Sequence, residues 1–580
     1  MASHECYAGK PAPGTRPHGS RRERLTSTPG PGYVTCSHFT PASIVKGHAG
    51  NRDQPTEAEL LHVSVETEPA TSTRRPSWAK VVDQTRCIGC HACTTACKSE
   101  NEVPLSVTRT YVKYVDTGVF PQARRSFQVT RCNQCEAAPC VTACPTSAMF
   151  KRADGIVDFD KSACIGCKAC IAACPYDAIF INPEDHSAEK CNFCAHRLDI
   201  GLEPACVVVC PTEALLVGDM NDPSSQVAKI INRDPVAVRR PEKETRPKLY
   251  YKGGDQVTLD PLAAQRPAGG LFMWSEQGEV DHGVAAGHPG PWNSSAAAVL
   301  SYDIPHRAPW DFRVSLYTWT KSIAAGGYLV PFLLLLTGAI TAASPLWMFV
   351  APIMAGVFLA LTGAVLIWDL EHPARFHLIF RRPQWRSWLV RGGFIIGGYG
   401  AALAAHIAVV FTGGSPPLWL GLAGSALAIL TAVYTAFLFG QAKARDMWQN
   451  PLLPAHLLVQ AFMAGAGAVV LVVLVLPTAT GPLGAGAASA ALRFFAMGSA
   501  AHALMILGEV LMPPPTAHAR LAEREMTHGR FRGWFRVGLL GALLGAAAPW
   551  LGWTVVPIGL AALLAYEHAY VQAGQSVALS

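Results

Sequence analysis

Apolar positions are laid out in two unlike ways along this chain. From about Lys321 they form long, nearly unbroken stretches. A spanning helix needs roughly 20 apolar residues. Eight stretches qualify: about 322–342, 346–368, 389–411, 417–440, 454–476, 487–511, 533–550 and 552–571. Only the turn at Pro549–Gly552 divides the last two. Gly and Ala are abundant in these stretches, as close helix packing in lipid requires. Upstream, apolar residues come in short runs. WAKVVDQTRC, from Trp78, reads as a strand, DGIVDFDKSAC (154–164) repeats it, and AIFIN (178–182) reads as a returning strand. Residues 1–75 are rich in Pro, Gly, Ser, Thr and Arg with no apolar period, so a disordered tail is predicted. Residues 221–316 read as a mixed linker that wraps the preceding domain or lies at the membrane surface, and 573–580 as a tail. Arg21-Arg22 is followed by no apolar stretch, so a twin-arginine export signal is not read there.

The short strands lead into cysteines. Sixteen of the eighteen lie in four groups of four. These are Cys87, Cys90, Cys93, Cys97; Cys132, Cys135, Cys140, Cys144; Cys164, Cys167, Cys170, Cys174; and Cys191, Cys194, Cys206, Cys210. Three close cysteines followed by a fourth is iron–sulfur spacing. Zinc ribbons use paired CxxC units, and disulfides suit small secreted domains. Four groups supply ligands for four [4Fe–4S] clusters. By ferredoxin logic, three cysteines of one group combine with the last of another. That gives four expected sets, although spacing alone does not fix the pairing. They are Cys132, Cys135, Cys140 with Cys174; Cys164, Cys167, Cys170 with Cys144; Cys87, Cys90, Cys93 with Cys210; and Cys191, Cys194, Cys206 with Cys97. The repeat CIGCHAC and CIGCKAC places Gly89 and Gly166 where the backbone turns tightly. Cys6 and Cys36 fall outside the pattern and read as free thiols.

At 580 residues the chain exceeds a single core. Half of it is apolar, and the mean hydropathy of +0.22 is high for a soluble protein. The net charge of +7 comes from scattered Lys and Arg, which argues for membrane topology and against nucleic-acid binding. Arg375, Arg381, Arg382 and Arg386 occupy one loop, Lys443 and Arg445 a second, and Arg520, Arg524, Arg530 and Arg532 a third. The opposite loops carry no Lys or Arg. The positive-inside rule then puts the cysteine domain on the cytoplasmic face of a bacterial inner membrane. Docking of a partner by the basic loops on the other face is the competing explanation.

Ionisable residues in or beside spans are functional candidates. Asp369, Glu371, His372 and Arg375 in WDLEHPARF leave the second span on the cysteine side. His406, His456, Gln460, Arg493, His502, Glu509, Glu567 and His568 lie further within. Tyr302, Asp303, His306, Trp310, Tyr317 and Lys321 mix aromatic planes with proton donors. A quinone headgroup needs that mixture. The aromatic residues fit an interfacial belt equally well.

On these motifs, residues 78 to about 220 resemble the four-cluster subunit of molybdopterin oxidoreductases of the dimethyl sulfoxide reductase and polysulfide reductase type. Residues 300 to about 571 resemble the NrfD or polysulfide reductase membrane subunit, through WDLEHPARF and the following RSW at 386–388. The fold then expected is an α+β tandem bacterial-ferredoxin-like domain (76–220) followed by an all-α eight-helix transmembrane bundle (317–572). The resemblance implies a separate molybdopterin- or tungstopterin-containing catalytic subunit, so this chain is an oxidoreductase subunit without the substrate site. It also implies four [4Fe–4S] clusters and a quinone, ubiquinone or menaquinone; the side-chain chemistry read above offers His306, Tyr302, Asp303, Trp310, Tyr317, Lys321, Asp369, His372 and Arg375 to hold the quinone. Two further readings stand beside quinone chemistry: proton movement through His406, His502 and Glu509, and a passive anchor that hands electrons to a soluble carrier.

Overall fold

The computed structural model describes residues 75–118, 121–265, 298–476 and 484–579. The predicted disordered tail, Cys6 and Cys36, and the Gly-rich stretch at 266–297 lie outside the described residues.

The cysteine-bearing part is built on small sheets. Trp78–Asp83 is the central strand of the largest, antiparallel to Leu215–Asp219 and parallel to Leu249–Lys252, with Val236–Ala237 at the edge. Its buried Ala79, Val81 and Val82 explain why this short run is a strand at all. Two hairpins, Met149–Lys151 with Val157–Phe159 and Ile179–Ile181 with Ala188–Lys190, flank the middle cysteine groups. Each cysteine loop enters a short helix: Ala92–Glu100, Pro139–Ala143, Ala169–Ala173 or Ala205–Val208. The sequence repeat is also a backbone repeat. Gly89 and Gly166 have φ +70° and +69°, and His91 and Lys168, which precede the two helices, have φ 59° and 61°.

Much of the segment read as linker is structural. Leu249–Lys252 inserts beside the first strand, and Val299–Tyr302 joins Thr110–Thr117 and Arg124–Arg131 in a three-stranded sheet. Hydropathy gave no sign of this, because strand pairing across more than a hundred residues leaves no local period.

Six helices among the described residues are long and apolar enough to cross a membrane. They are α1 (Phe312–Leu336), α2 (Leu346–Trp368), α3 (Trp388–Phe411), α4 (Leu418–Gln441), α5 (Leu453–Val475) and α6 (Gly486–Leu511). The expected seventh and eighth spans are helical but fall short of that standard: α7 (Arg532–Ala546) has 15 residues, and α8 (Val555–Gly574) carries Glu567 and His568. A further polar helix, Ala517–Thr527, occupies the loop before α7. The first span is displaced from 322–342. α1 starts at Phe312, where Asp311 caps it by accepting from the Arg313 amide, and it ends before Gly338 at φ +73°. Its polar first half, FRVSLYTWTKS, is buried against protein, so hydropathy underestimates it. α1 and α5 cross closely at Gly326 and Gly465; a Cβ on Gly326 would lie 1.8 Å from the Ala461 carbonyl oxygen. Residues read as a terminal tail are also packed: Arg445 donates to the carbonyls of Gln575 and Val577 at 3.1 Å, and Arg239 to that of Leu579 at 3.1 Å.

Candidate functional site

The sixteen cysteines among the described residues form no disulfide. They surround hollows. One is lined by Cys144, Cys164, Cys167 and Cys170. Another is lined by Cys87, Cys90, Cys93 and Cys210. Cys140 lies within electrostatic reach of Cys132, Cys135 and Cys174, and Cys97 within reach of Cys191, Cys194 and Cys206. Neighbouring sets lie within electrostatic reach of one another in a line: Cys93 of Cys206, Cys132 of Cys191, and Cys170 of Cys140. Cys90 is exposed at one end, beside Ile88, which is 57% exposed.

The donor chemistry suits iron–sulfur clusters. Among the described residues no three His, Cys, Asp or Glu side chains converge on a point where a single ion would sit. The thiols instead ring a volume. Backbone amides already aim at sulfur: Met149 at Cys144 (3.3 Å), Ala188 at Cys164 (3.4 Å) and Ala214 at Cys210 (3.2 Å). Cluster-bound thiolates need such donors. Buried Arg131 also has two nitrogens, Nε and Nη2, with no acceptor in the protein. The thiols are not alike. Burial pushes Cys93 up to about 11 and Cys97 to about 12. At Cys206 burial acts the same way, but Arg131 and Lys80 outweigh it and bring the thiol to about 7.

The Cys164 loop is seated on the membrane domain. Gly166 and Ile165 offer their carbonyls to the amides of Glu371 (3.4 Å) and His372 (3.2 Å). Arg375 donates to the carbonyls of Lys161 (2.9 Å) and Cys164 (3.0 Å). Trp310 Nε1 donates to the Cys167 carbonyl at 3.3 Å, and Ser387 Oγ to that of Ala143 at 2.9 Å. Lys168 pairs with Glu371 at 2.9 Å and with Asp369 at 3.6 Å. Burial pushes the Asp369 carboxyl up to about 6, against the pull of Lys168 and Arg313. WDLEHPARF is therefore spent largely on holding a cysteine loop.

The nine residues expected around one quinone are divided among four places. Asp369, His372, Arg375 and Trp310 lie at this junction. Tyr302 packs on His91 (5.0 Å) and Tyr114 (5.1 Å) beside the Cys87 loop. His306 joins Asp303 (3.0 Å) to Asp177 near Cys174. Tyr317 and Lys321 are buried in α1; Lys321 Nζ donates to the Ala432 carbonyl and to Thr435 Oγ1, each at 2.8 Å. Sequence reading passed over Lys80, Asn101 and Arg131. A lysine within the apolar strand WAKVVD was the one visible signal.

Deeper in the bundle, His456 bridges Glu509 (3.0 Å) and His502 (2.8 Å), and Tyr566 donates to Glu509 at 3.0 Å. Glu567 lies within electrostatic reach of both Lys321 and His456. His406 belongs to a separate cluster with Tyr328 (2.8 Å) and Trp347.

His306 gives a pH prediction. Burial pushes it down, but Asp303 and Asp177 raise it from 6.5 to about 9. The folded form therefore holds its proton longer than the unfolded chain. The stabilisation is complete below about 6.5 and is lost as pH rises through about 9. Hydrogen exchange at residues 298–306 should accelerate between pH 8 and pH 10, and His306→Gln should remove that dependence. Protection that stays level over this range would refute the pinning role.

Comparison with known proteins agrees with this division of the chain. Residues 84–106 match the family described as "4Fe-4S binding domain", 123–220 the "4Fe-4S dicluster domain", and 302–563 "Polysulphide reductase, NrfD". The B subunit of tetrathionate reductase from Salmonella typhimurium is 42% identical over 211 residues, covering 35% of this chain and 81% of that protein. The B component of polysulfide reductase from Wolinella succinogenes is 45% identical over 176 residues, covering 30% of this chain and 92% of that protein. Protein NrfC of Escherichia coli K12 is 43% identical over 176 residues, covering 30% of this chain and 79% of that protein.

Proposed function

We propose a function for this chain from the premise that it belongs with NrfC and the B components of polysulfide and tetrathionate reductases, the 4Fe-4S electron-transfer subunits, continued here into an NrfD membrane domain. It connects a separate pterin-bearing catalytic subunit to the membrane quinone pool. Clusters bound in the four sets would each carry one electron at a time. The residues do the rest. Cys87, Cys90, Cys93 and Cys210 hold the exposed end. Cys191, Cys194, Cys206 and Cys97 come next, then Cys132, Cys135, Cys140 and Cys174, and last Cys164, Cys167, Cys170 and Cys144. The observation that carries this reading is the seating of the Cys164 loop on WDLEHPARF by Trp310, Arg375 and the Glu371 and His372 amides. A relay needs its last centre fixed against the membrane domain.

The quinone headgroup would be met near that junction, where Trp310 packs in one cluster with Tyr317, Asp369 lies within electrostatic reach of Tyr317, and Lys321 follows one turn further along α1. Tyr302, Asp303 and His306 serve the cysteine domain instead. All eight helices would cross, with the cysteine domain on the cytoplasmic side where the Arg-bearing loops lie. Cys87→Ser should abolish quinone-linked turnover of the purified complex while leaving its dye-linked turnover intact. Equal loss of both activities would defeat the relay reading.

A second reading is favoured by the buried succession Lys321, Glu567, His456, Glu509 and His502. It would carry protons through the bundle, with His406 outside it. Proteoliposomes would then show proton movement beyond the scalar quinone chemistry; strict scalar stoichiometry removes this reading.

A further inference from the structure

Two buried cations, Arg131 and Lys80, donate directly to the Cys206 sulfur, and both also act through space on Cys191 of the same set. Arg131 is 1% exposed and donates from Nη1 to the Cys206 sulfur at 3.0 Å. Lys80 is 4% exposed and approaches the same sulfur at 3.8 Å, its ammonium lying 4.2 Å from the centre of the Phe193 ring. Two more thiols of the same set, Cys97 and Cys194, lie 3.7 and 3.8 Å from Asn101 Nδ2. Arg109 fixes which way that amide points, because its Nη1 donates to Asn101 Oδ1 at 2.7 Å. Three of the four thiols in this set therefore face a side-chain donor.

The cations beside the two sets nearer the membrane donate to oxygen and not to sulfur. Lys168 follows Cys167 directly, but Glu371 at 2.9 Å and Asp369 at 3.6 Å neutralise it. Lys190 acts through space on Cys132 and Cys140, and Arg445 on Cys174, but both donate to backbone carbonyls and not to sulfur. Thr146 and Thr212, beside Cys144 and Cys210, are uncharged.

Adding an electron to a cluster adds a negative charge to a site of low dielectric. Nearby buried cations and donors to sulfur stabilise that charge and so raise the reduction potential. We propose that Arg131, Lys80 and Asn101 make the centre held by Cys191, Cys194, Cys206 and Cys97 the one of highest potential in this chain, where an electron in transit comes to rest. The proposal rests on the ligand sets given above. Its place is second from the exposed end, between the Cys87 and Cys132 sets. The relay is then not an even slope; it holds an electron between the exposed end and the membrane end. Arg131, Lys80 and Asn101 are positioning residues, acting on the electron through the cysteines.

The test is a potentiometric titration of the purified full-length protein followed by EPR. The signal lost in Cys206→Ser identifies the centre. In the unaltered protein its midpoint should be the highest of the four. Lys80→Met should lower it, Arg131→Gln should lower it further, Arg131→Lys should lower it least, and the other three midpoints should move less, the Cys87 set feeling Arg131 and the Cys132 set feeling Lys80 only through space. Should Arg131→Gln lose its cluster, Lys80→Met decides alone. The proposal is overturned if the highest-potential signal survives Cys206→Ser, or if the charge-removing variants leave it unmoved in a protein holding four clusters. Fewer than four clusters in the unaltered protein would overturn the ligand-set reading itself, and the proposal with it.

Discussion

Gly166→Val should uncouple the two halves of this chain. Gly166 has φ +69°, where a side chain costs roughly 1–2 kcal/mol. Its Cβ would lie 2.4 Å from Glu371 Cβ and 3.0 Å from the Glu371 amide nitrogen. Neither atom is the free end of a side chain, so relief requires the junction itself to open. Overpacking of this kind adds roughly 1–3 kcal/mol. The two penalties together would weaken seating by about 30-fold or more, at about 1.4 kcal/mol per factor of ten. Quinone-linked turnover should fall accordingly while dye-linked turnover persists. Hydrogen exchange should rise together in 161–176 and 369–387. Gly89→Val is the matched control. It has φ +70° but meets the Phe127 ring, which can turn aside, and it lies far along the cysteine line from the junction. The role assigned to Gly166 fails if both variants behave alike, or if Gly166→Val leaves exchange at the junction unchanged.

Lys321→Met should be the most damaging change within the bundle. Lys321 is fully buried, and its ammonium is held by the Ala432 carbonyl, Thr435 Oγ1 and the face of Tyr434, within electrostatic reach of Glu567. Glu567 Oε1 makes no hydrogen bond in the protein, and Lys321 is the cation that acts on this carboxyl most strongly. Removing one member of such a pair strands the other and typically costs about 3–5 kcal/mol. Replacing both with residues of similar shape is often close to neutral. Thermal unfolding in detergent should therefore show a large loss for Lys321→Met, a comparable loss for Glu567→Gln, and recovery of much of it in the double variant. Quinone-linked turnover should not recover, because the polar succession toward His456 stays broken. Additive losses in the double variant would show that the two residues act apart.

The cysteine groups were legible because cluster ligation is a local requirement. CIGCHAC and CIGCKAC had to turn at Gly89 and Gly166, and they do so with nearly the same φ values. The membrane character was legible for a similar reason, since lipid demands long apolar runs and six helices meet that demand. Burial by protein looks different in sequence. The start of α1, with Tyr317 and Lys321, is polar because other helices surround it, and a hydropathy window moved the span ten residues along. The same effect left α8 short of the standard set for spans, since its Tyr566 and Glu567 are buried among neighbours, whereas α7 is short by length, at 15 residues.

The sequence by itself determined the residue types: sixteen thiols at cluster spacing, a series of apolar helices, and a basic side and a bare side to the membrane. Those follow from bonds and solvent, which act on neighbours along the chain. Only the tertiary structure decided which thiols share a hollow, and that WDLEHPARF grips the Cys164 loop. It also placed Arg131, Lys80 and Asn101 around one thiol set, and divided the expected quinone ligands among four places. Those depend on contacts between residues as far apart as Gly166 and Glu371, or Arg131 and Cys206, and no local pattern records a partner that distant.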